Sequence, residues 1–355
     1  MEEITVIGLD LAKSIFQVHG IAADSRVIIR KTLRRAQLLP FFAKLPSCLI
    51  GMEACSSAHY WAREFQALGH QVRLMPPVYV KPYVKRNKTD AGDAEAICEA
   101  VTRPNMRFVT VKSEDQQAAL CIHRVRDLLI RQRTQVVNVM RGLCAEFGVE
   151  IRQGLAHAMA LKEKLLTGEI TDLPPTAARV MASLARQIEA LQQQIVTLDT
   201  ELAAWHKQSD VARRLATMPG IGPVAATALA ATVTDPQHFK SGRQFAAWLG
   251  LTPLARSSGG KERLGRISRM GDTYLRRLLV NGVANMIRWA RIRPEKSDPW
   301  LVQLLARKPA RLVMVALANK SARIAWAIMS RAGEIYHTRT KVGFVKEENA
   351  MFVTA

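Results

Sequence analysis

Two stretches of this chain are apolar enough to be buried strands, yet each carries an acid. The run I-T-V-I-G-L-D-L-A places Asp10 within the first, and L-I-G-M-E-A ends the second with Glu53. A carboxylate in such surroundings costs several kcal/mol unless something compensates it. Asp90 and Asp93 stand three residues apart at the start of a helix-like stretch, so both project from one helical face. A solvated N-cap with a first-turn acid accounts for that pair taken alone. It does not account for Asp10 and Glu53.

The surroundings of these acids read as α/β. Ile4–Leu11, Phe16–Ala22 and Arg26–Leu33 are short β-rich runs between turns, as in a three-stranded meander. A helix is expected through Pro40–Lys44, a strand at Cys48–Ala54, a helix at Ser57–Leu68 and a strand at Gln71–Met75. Asp90–Val101 has Ala91, Ala94, Ile97, Cys98 and Val101 at helical spacing. Three strands in hairpin succession followed by β-α-β-α is the order of a ribonuclease-H-like fold. In that topology the first and fourth strands are neighbours, and the helix after the fifth crosses near their ends. The four carboxylates would then converge and repel one another unless cations sat among them. Oxygen-only ligation suits Mg²⁺ or Mn²⁺, and a pair of such ions is the usual clamp for phosphodiester chemistry.

Beyond residue 110 the chain reads as helical. Residues 113–147 lack Pro and form one long basic helix. Thr176–Lys207 forms a second, with Met181, Leu184, Ile188, Leu191, Ile195, Leu198, Leu202 and Trp205 in a heptad seam. That seam serves equally for pairing within the chain or for a dimer contact. The expected division is 1–110, an α/β domain; 111–210, a coiled-coil middle; 211–332, a mainly α-helical domain; and 333–355, a loose tail. The third segment opens with M-P-G-I-G-P, where Gly220 and Gly222 precede the helix Val224–Thr232. Glycines before a helix N-terminus expose backbone N–H groups to phosphate, as in a helix-hairpin-helix motif, although a plain interhelical turn looks the same.

Charge narrows the partners. Lys and Arg number 51 against 30 Asp and Glu, a formal net charge of +21. Such a field calls for a polyanion, either nucleic acid or an anionic membrane. The apolar run Leu215–Thr234 is broken by Pro219, Gly220, Gly222 and Pro223, so no membrane span is expected there. The N-terminal M-E-E has acids where an export signal wants bases, so a cytoplasmic, nucleoid-associated protein is expected. Five cysteines without C-x-x-C spacing read as free thiols, mostly buried. The eight histidines show no metal-binding spacing. Lys81, Lys85, Arg86 and Lys88 lead into Asp90 with no intervening acid, which suits a phosphate backbone beside a metal site. Arg256–Lys296 holds eleven Lys/Arg against three Asp/Glu, a balance of +8. Within it, Ser257-Ser258-Gly259-Gly260 lies among Lys261, Arg263, Arg266 and Arg269, with Arg276 and Arg277 following. A serine so placed is suited to approach a phosphate, with the cations stabilising charge at phosphorus; a flexible polar loop is the plainer reading. Tyr274 is the other hydroxyl to consider, on a helix whose Leu275, Leu278 and Leu279 mark the core side.

Taken together, G-L-D-L-A-K at Gly8–Lys13, M-E-A at Met52–Ala54 and N-K-T-D-A-G-D-A at Asn87–Ala94 resemble the aspartate-glutamate-aspartate-aspartate transposases of bacterial insertion sequences. This is the "one-ten" family, related to the pilin-gene invertases. M-P-G-I-G-P, F-A-A-W-L-G-L-T-P and S-S-G-G-K resemble its C-terminal transposase domain. The resemblance implies a RuvC-like first domain, a coiled-coil middle and a C-terminal domain bearing a nucleophilic serine. By motif position the acids fall on Asp10, Glu53, Asp90 and Asp93, and the serine on Ser258. It also implies a structured bridge RNA that pairs with target and donor DNA, and dimers that assemble into tetramers. Where the family usually has Thr-Gly after the glutamate, this chain has Cys55-Ser56.

The chemistry expected from this resemblance is a composite site, in cis or from a neighbouring subunit. Ser258, activated at the acid-held metal, forms a covalent phosphoserine, and a second strand's hydroxyl later resolves it. A competing enzyme is a metal-dependent nuclease of the Holliday-junction type that uses water. A competing non-enzyme is a nucleic-acid scaffold, which would need none of the four acids.

Overall fold

The computed structural model describes residues 3–85, 89–169, 173–255 and 263–337. The chain divides into two compact units, 1–117 and 118–355.

The first unit is built on a five-stranded sheet. Its strands are β1 (Val6–Asp10), β2 (Ile15–Ile21), β3 (Val27–Arg34), β4 (Leu49–Glu53) and β5 (Gln71–Met75), in the order β3-β2-β1-β4-β5. β1–β2 and β2–β3 pair antiparallel, while β1–β4 and β4–β5 pair parallel. This mixed sheet is compatible with the ribonuclease-H-like order, and each strand lies within two residues of its expected bounds. Helices α1 (Arg35–Phe42) and α2 (Ala58–Ala67) cover one face. There Ile7, Leu9, Phe16, Val18, Ile50 and Met52 form one core with Leu38, Phe42, Trp61 and Phe65. After the short α3 (Pro77–Val80), α4 (Asp90–Val101) covers the other face.

α1 departs from expectation. The helix expected through Pro40–Lys44 starts five residues earlier, carries Pro40 inside it and ends at Phe42. Burial of Leu38 and Phe42 one turn apart holds this helix despite the lost N–H.

In the second unit, α5 (Glu114–Ala145), which begins just before the unit boundary, is followed by α6 (Leu155–Thr167) and α7 (Pro175–Gln208). The seam of α7 meets helices of its own chain. Met181, Ala185 and Ile188 pack with Val137, Met140 and Cys144 of α5 and Leu161 and Leu165 of α6. Leu191 and Ile195 pack with Leu129. α8 (Asp210–Leu215), α9 (Pro223–Thr232), α10 (Gly242–Trp248), the ribbon β6 (Pro253–Ala255) and β7 (Leu264–Ile267), then α11 (Thr273–Ile292), α12 (Pro299–Arg307) and α13 (Ala310–Ser330) complete it. Their core includes Phe245, Leu275, Leu279, Val283, Val313 and Leu317. α13 has the length and hydropathy of a membrane span; its Val313, Leu317, Ala318, Ala322 and Ile328 are buried in this core.

The expected loose end after residue 332 is corrected in part. The buried Arg214 guanidinium donates to the carbonyls of Ile328, Arg331 and Glu334 at 2.5, 2.7 and 3.3 Å, and Tyr336 N–H donates to Thr217 at 2.9 Å.

Candidate active site and nucleic-acid contacts

The acid edge follows from the sheet. Leu9 pairs with Met52 across the parallel β1–β4 ladder, so Asp10 and Glu53 end neighbouring strands at the same edge. Side chains alternate along strands. A methyl group at Gly8 would meet the backbone of Ala94 and Cys98, and one at Gly51 would meet Val101. Gly8 and Gly51 therefore face α4, and so do Asp10 and Glu53, two residues on from each. Both acids are half-buried.

The absence of a side chain at Gly8 lets α4 lie directly on β1, which carries the first helical turn over this face. Thr89 caps the helix, its Oγ1 accepting from Gly92 N–H at 3.1 Å. Asp90 and Asp93 are thus relieved of the capping role that one reading gave Asp90. Asp93 is half-buried and Asp90 exposed. Beyond Glu53 the chain turns at once: Cys55 N–H donates to the Glu53 carbonyl at 2.8 Å, so the departure at Cys55-Ser56 forms a tight turn.

The donor set fits a hard divalent cation, because all four side chains offer oxygen. Two of them share an edge and a face, and the helix turn bearing the others belongs to the same face. Among the described residues no three His, Cys, Asp or Glu side chains lie close enough together to hold an ion.

The basic residues separate into groups. Lys81 is exposed, and Lys85 is exposed with its ammonium 2.6 Å from Glu95. Arg30 of β3 also reaches Glu95, at 3.5 Å. The hydrogen bond to Lys85 holds the Glu95 carboxyl below its usual range. A cavity lined by Arg30, Tyr83, Lys85, Thr89, Gly92 and Glu95 opens beside the first turn of α4. The sequence reading missed Arg30 and Glu95, because strand pairing and helix packing bring them to this place and no local motif marks them. Arg86 and Lys88 lie outside the described residues.

In the second unit, Arg263, Arg266 and Arg269 are exposed. Arg277 pairs with Asp127 and lies over the Tyr274 ring. Arg276 is a correction. It is buried, and its guanidinium donates to the carbonyls of Leu249 and Met270, both at 2.7 Å, and to Thr273 Oγ1 at 3.2 Å. It braces the turn before α11 and offers no phosphate contact. Gly220, at φ +80, is also held by packing. A methyl group on Gly282 of α11 would lie 1.9 Å from its carbonyl oxygen. Gly222 is exposed at the N-terminus of α9.

Ser257, Ser258 and Lys261 lie outside the described residues, between β6 and β7. Tyr274 is committed elsewhere. Its hydroxyl lies 3.0 Å from His123 Nδ1, while His123 Nε2 lies 3.0 Å from Thr227 Oγ1. Thr227 donates its own proton to the Pro223 carbonyl at 2.8 Å. The chain of donors therefore runs from Tyr274 through an Nε2-protonated imidazole to Thr227. Burial raises the Tyr274 pKa, which suits a structural donor more than a nucleophile. Of the cysteines, Cys48, Cys98 and Cys144 are buried, Cys55 is half-exposed and Cys121 is exposed; all are free.

Comparison with known proteins finds relatives along most of the chain. Residues 7–147 match the family described as DEDD_Tnp_IS110, transposase, and residues 212–298 match the transposase IS116/IS110/IS902 family. A probable family 20 transposase of Pseudomonas aeruginosa is 50% identical over 92% of this chain and 96% of its own length. The transposase for insertion sequence element IS1328 of Yersinia enterocolitica is 40% identical over 93% and 98%. That for IS1111A of Coxiella burnetii is 37% identical over 93% and 91%. The aspartate-glutamate-aspartate-aspartate signature of the matched family suggests divalent-metal use. With motifs, strand order and relatives in agreement along nearly its whole length, the chain belongs to the IS110/IS116/IS902 family of transposases, enzymes that move insertion-sequence DNA.

Proposed function

We propose that this transposase cuts and rejoins DNA through a covalent phosphoserine on Ser258, with Asp10, Glu53, Asp90 and Asp93 holding Mg²⁺ or Mn²⁺. The observation that carries this reading is the placement of Asp10 and Glu53 on neighbouring parallel strands, facing the helix whose first turn bears Asp90 and Asp93. A bound divalent ion would supply Lewis-acid neutralisation of charge developing on the phosphate. The Ser258 hydroxyl attacks phosphorus, an Oγ–P bond forms and the P–O3′ bond breaks. The leaving strand keeps a 3′-hydroxyl, and the serine proton balances the charge on that oxygen. A 3′-hydroxyl of another strand then attacks the adduct and frees the serine. The number of phosphodiester bonds is conserved, so ATP is not needed.

The excess of 21 positive charges supports nucleic-acid binding through Lys81, Lys85, Arg86, Lys88, Lys261, Arg263, Arg266 and Arg269, with Gly222 at a helix start. Generic backbone contacts leave target choice to a base-pairing partner, so the reading includes a structured bridge RNA as guide. It also includes dimers pairing into tetramers, at the nucleoid of a bacterial cytoplasm.

The test is a denaturing gel of protein incubated with labelled donor and target DNA, its co-purified RNA and Mg²⁺. Wild type yields a protein–DNA adduct, Ser258→Ala yields neither adduct nor cut, and Asp10→Asn matches Ser258→Ala. Cleavage by Ser258→Ala without an adduct would establish the water-using nuclease instead. Neither adduct nor cut from wild type, with DNA binding unchanged in Asp10→Asn, would leave only a scaffold.

A further inference from the structure

We propose that the exposed face of α11 around Trp289 is a binding site for unpaired nucleotides of a single-stranded nucleic-acid segment. Binding there needs neither Ser258 nor the acid edge.

The helix is anchored from one side. Leu275, Leu279, Val283, Ile287 and Ala290 are buried, so its orientation is fixed and the opposite face is presented outward. That face ends in large apolar groups. Trp289 is 49% exposed and Ile292 62% exposed. Trp289 and Ile292 lie three residues apart on the helix and so make one exposed apolar patch rather than scattered single residues. Its ring is not bare, since the Arg293 guanidinium lies 4.9 Å from the ring centroid.

Charge selects the kind of occupant. Arg288, Arg291 and Arg293 are exposed around Trp289. From Thr273 to Pro294 the sequence contains no acid. An apolar protein surface would gain little from three guanidinium groups whose nearest acid in sequence is Glu295, whereas a phosphate chain would gain one contact from each. Asn285 and Asn281 are exposed one and two turns back along the helix from Trp289. Their amides both donate and accept, as base edges require.

The ring then distinguishes single strands from duplex. Every base has a π-face, so an aromatic platform beside cations holds unpaired bases whatever their sequence. In a duplex the bases already stack on one another, and an exposed indole has nothing to hold. Arginines alone would bind both forms.

Fluorescence anisotropy of the full-length protein, without metal, tests this with three probes of about 20 units, longer than one such site. They are oligothymidine, oligouridine and a mixed-sequence duplex DNA. Trp289→Ala is expected to weaken single-strand binding about tenfold, the scale of one lost stacking contact. Its duplex affinity is expected to stay at the wild-type value. Trp289→Phe is expected to restore most of the loss. Trp289→Lys, which adds charge while removing the ring, is expected to lose single strands like the alanine variant. Unchanged single-strand binding in Trp289→Ala overturns the proposal, as does an equal loss on all three probes. A shift in self-association of Trp289→Ala in sedimentation would reassign the patch to a contact between copies and overturn it as well. None of these readouts depends on strand cleavage, so this site and the phosphoserine reading fail separately.

Discussion

A methyl group placed on Gly8 would sit 2.1 Å from the carbonyl oxygen of Ala94, well inside van der Waals contact. The obstruction is backbone, which cannot rotate away. Gly8→Ala should therefore move α4 off β1, taking Asp90 and Asp93 with it. The expected result is loss of DNA cleavage by about a hundredfold, the scale of a 1 Å misplacement at a reacting centre. Stability should fall by about 1–3 kcal/mol from overpacking. Cleavage measured well below the melting midpoint separates the two effects. In Gly51→Ala the methyl group meets the Val101 side chain at 2.7 Å. A side chain yields more easily, so the activity loss there should be smaller. Equal activity of Gly8→Ala and wild type would show that α4 does not position the acids.

His123 gives a pH dependence. Burial first, and the neighbouring Arg126 second, lower its pKa to about 4. In the unfolded chain a histidine titrates near 6.5. Between these values the unfolded chain binds a proton that the folded chain does not. Stability therefore rises with pH across this window, and is lost as pH falls from about 6.5 towards 4. The loss attributable to this residue should reach about 3 kcal/mol. Urea unfolding at a series of pH values measures it, and His123→Leu should flatten that part of the curve. Tyr274→Phe should leave His123 Nδ1 without its donor and still support adduct formation.

Arg276 and Arg266 should behave as opposites. Arg276→Ala leaves two carbonyls without their donor and should cost about 2–4 kcal/mol in stability. The salt dependence of its DNA binding should match wild type. Arg266→Ala should melt normally while the slope of log affinity against log salt falls by about 1. Titration at several salt concentrations with thermal melts of both variants checks the pair. A reduced salt slope in Arg276→Ala would contradict its structural role.

These arginines show where sequence reading reaches its limit. The apolar runs ending in Asp10 and Glu53 announced their strands, since burial and β-propensity leave few other choices. The heptad pattern of α7 was equally plain, but its partners in α5 and α6 were not, because one apolar seam fits many surfaces. Arg276 reads as surface charge until the fold brings the Leu249 and Met270 carbonyls to it. Gly220 reads as a phosphate loop until Gly282 of α11 is found against it. The pairing of Lys85 and Arg30 with Glu95 needed the crossing of α4 over the sheet, which no spacing along the chain encodes.

The buried Arg214 makes the C-terminal boundary of this protein practical as well as structural. Its last carbonyl partner is Glu334, and the neighbouring bond from Tyr336 closes the same corner. A dye or fused reporter attached past residue 337 would spare every one of these bonds. Truncation before Arg331 would strip this buried guanidinium of two of its three carbonyl acceptors, leaving it the Ile328 carbonyl and the Asp210 carboxylate. Shortened versions made for imaging or crystallisation should be cut with that single side chain in mind.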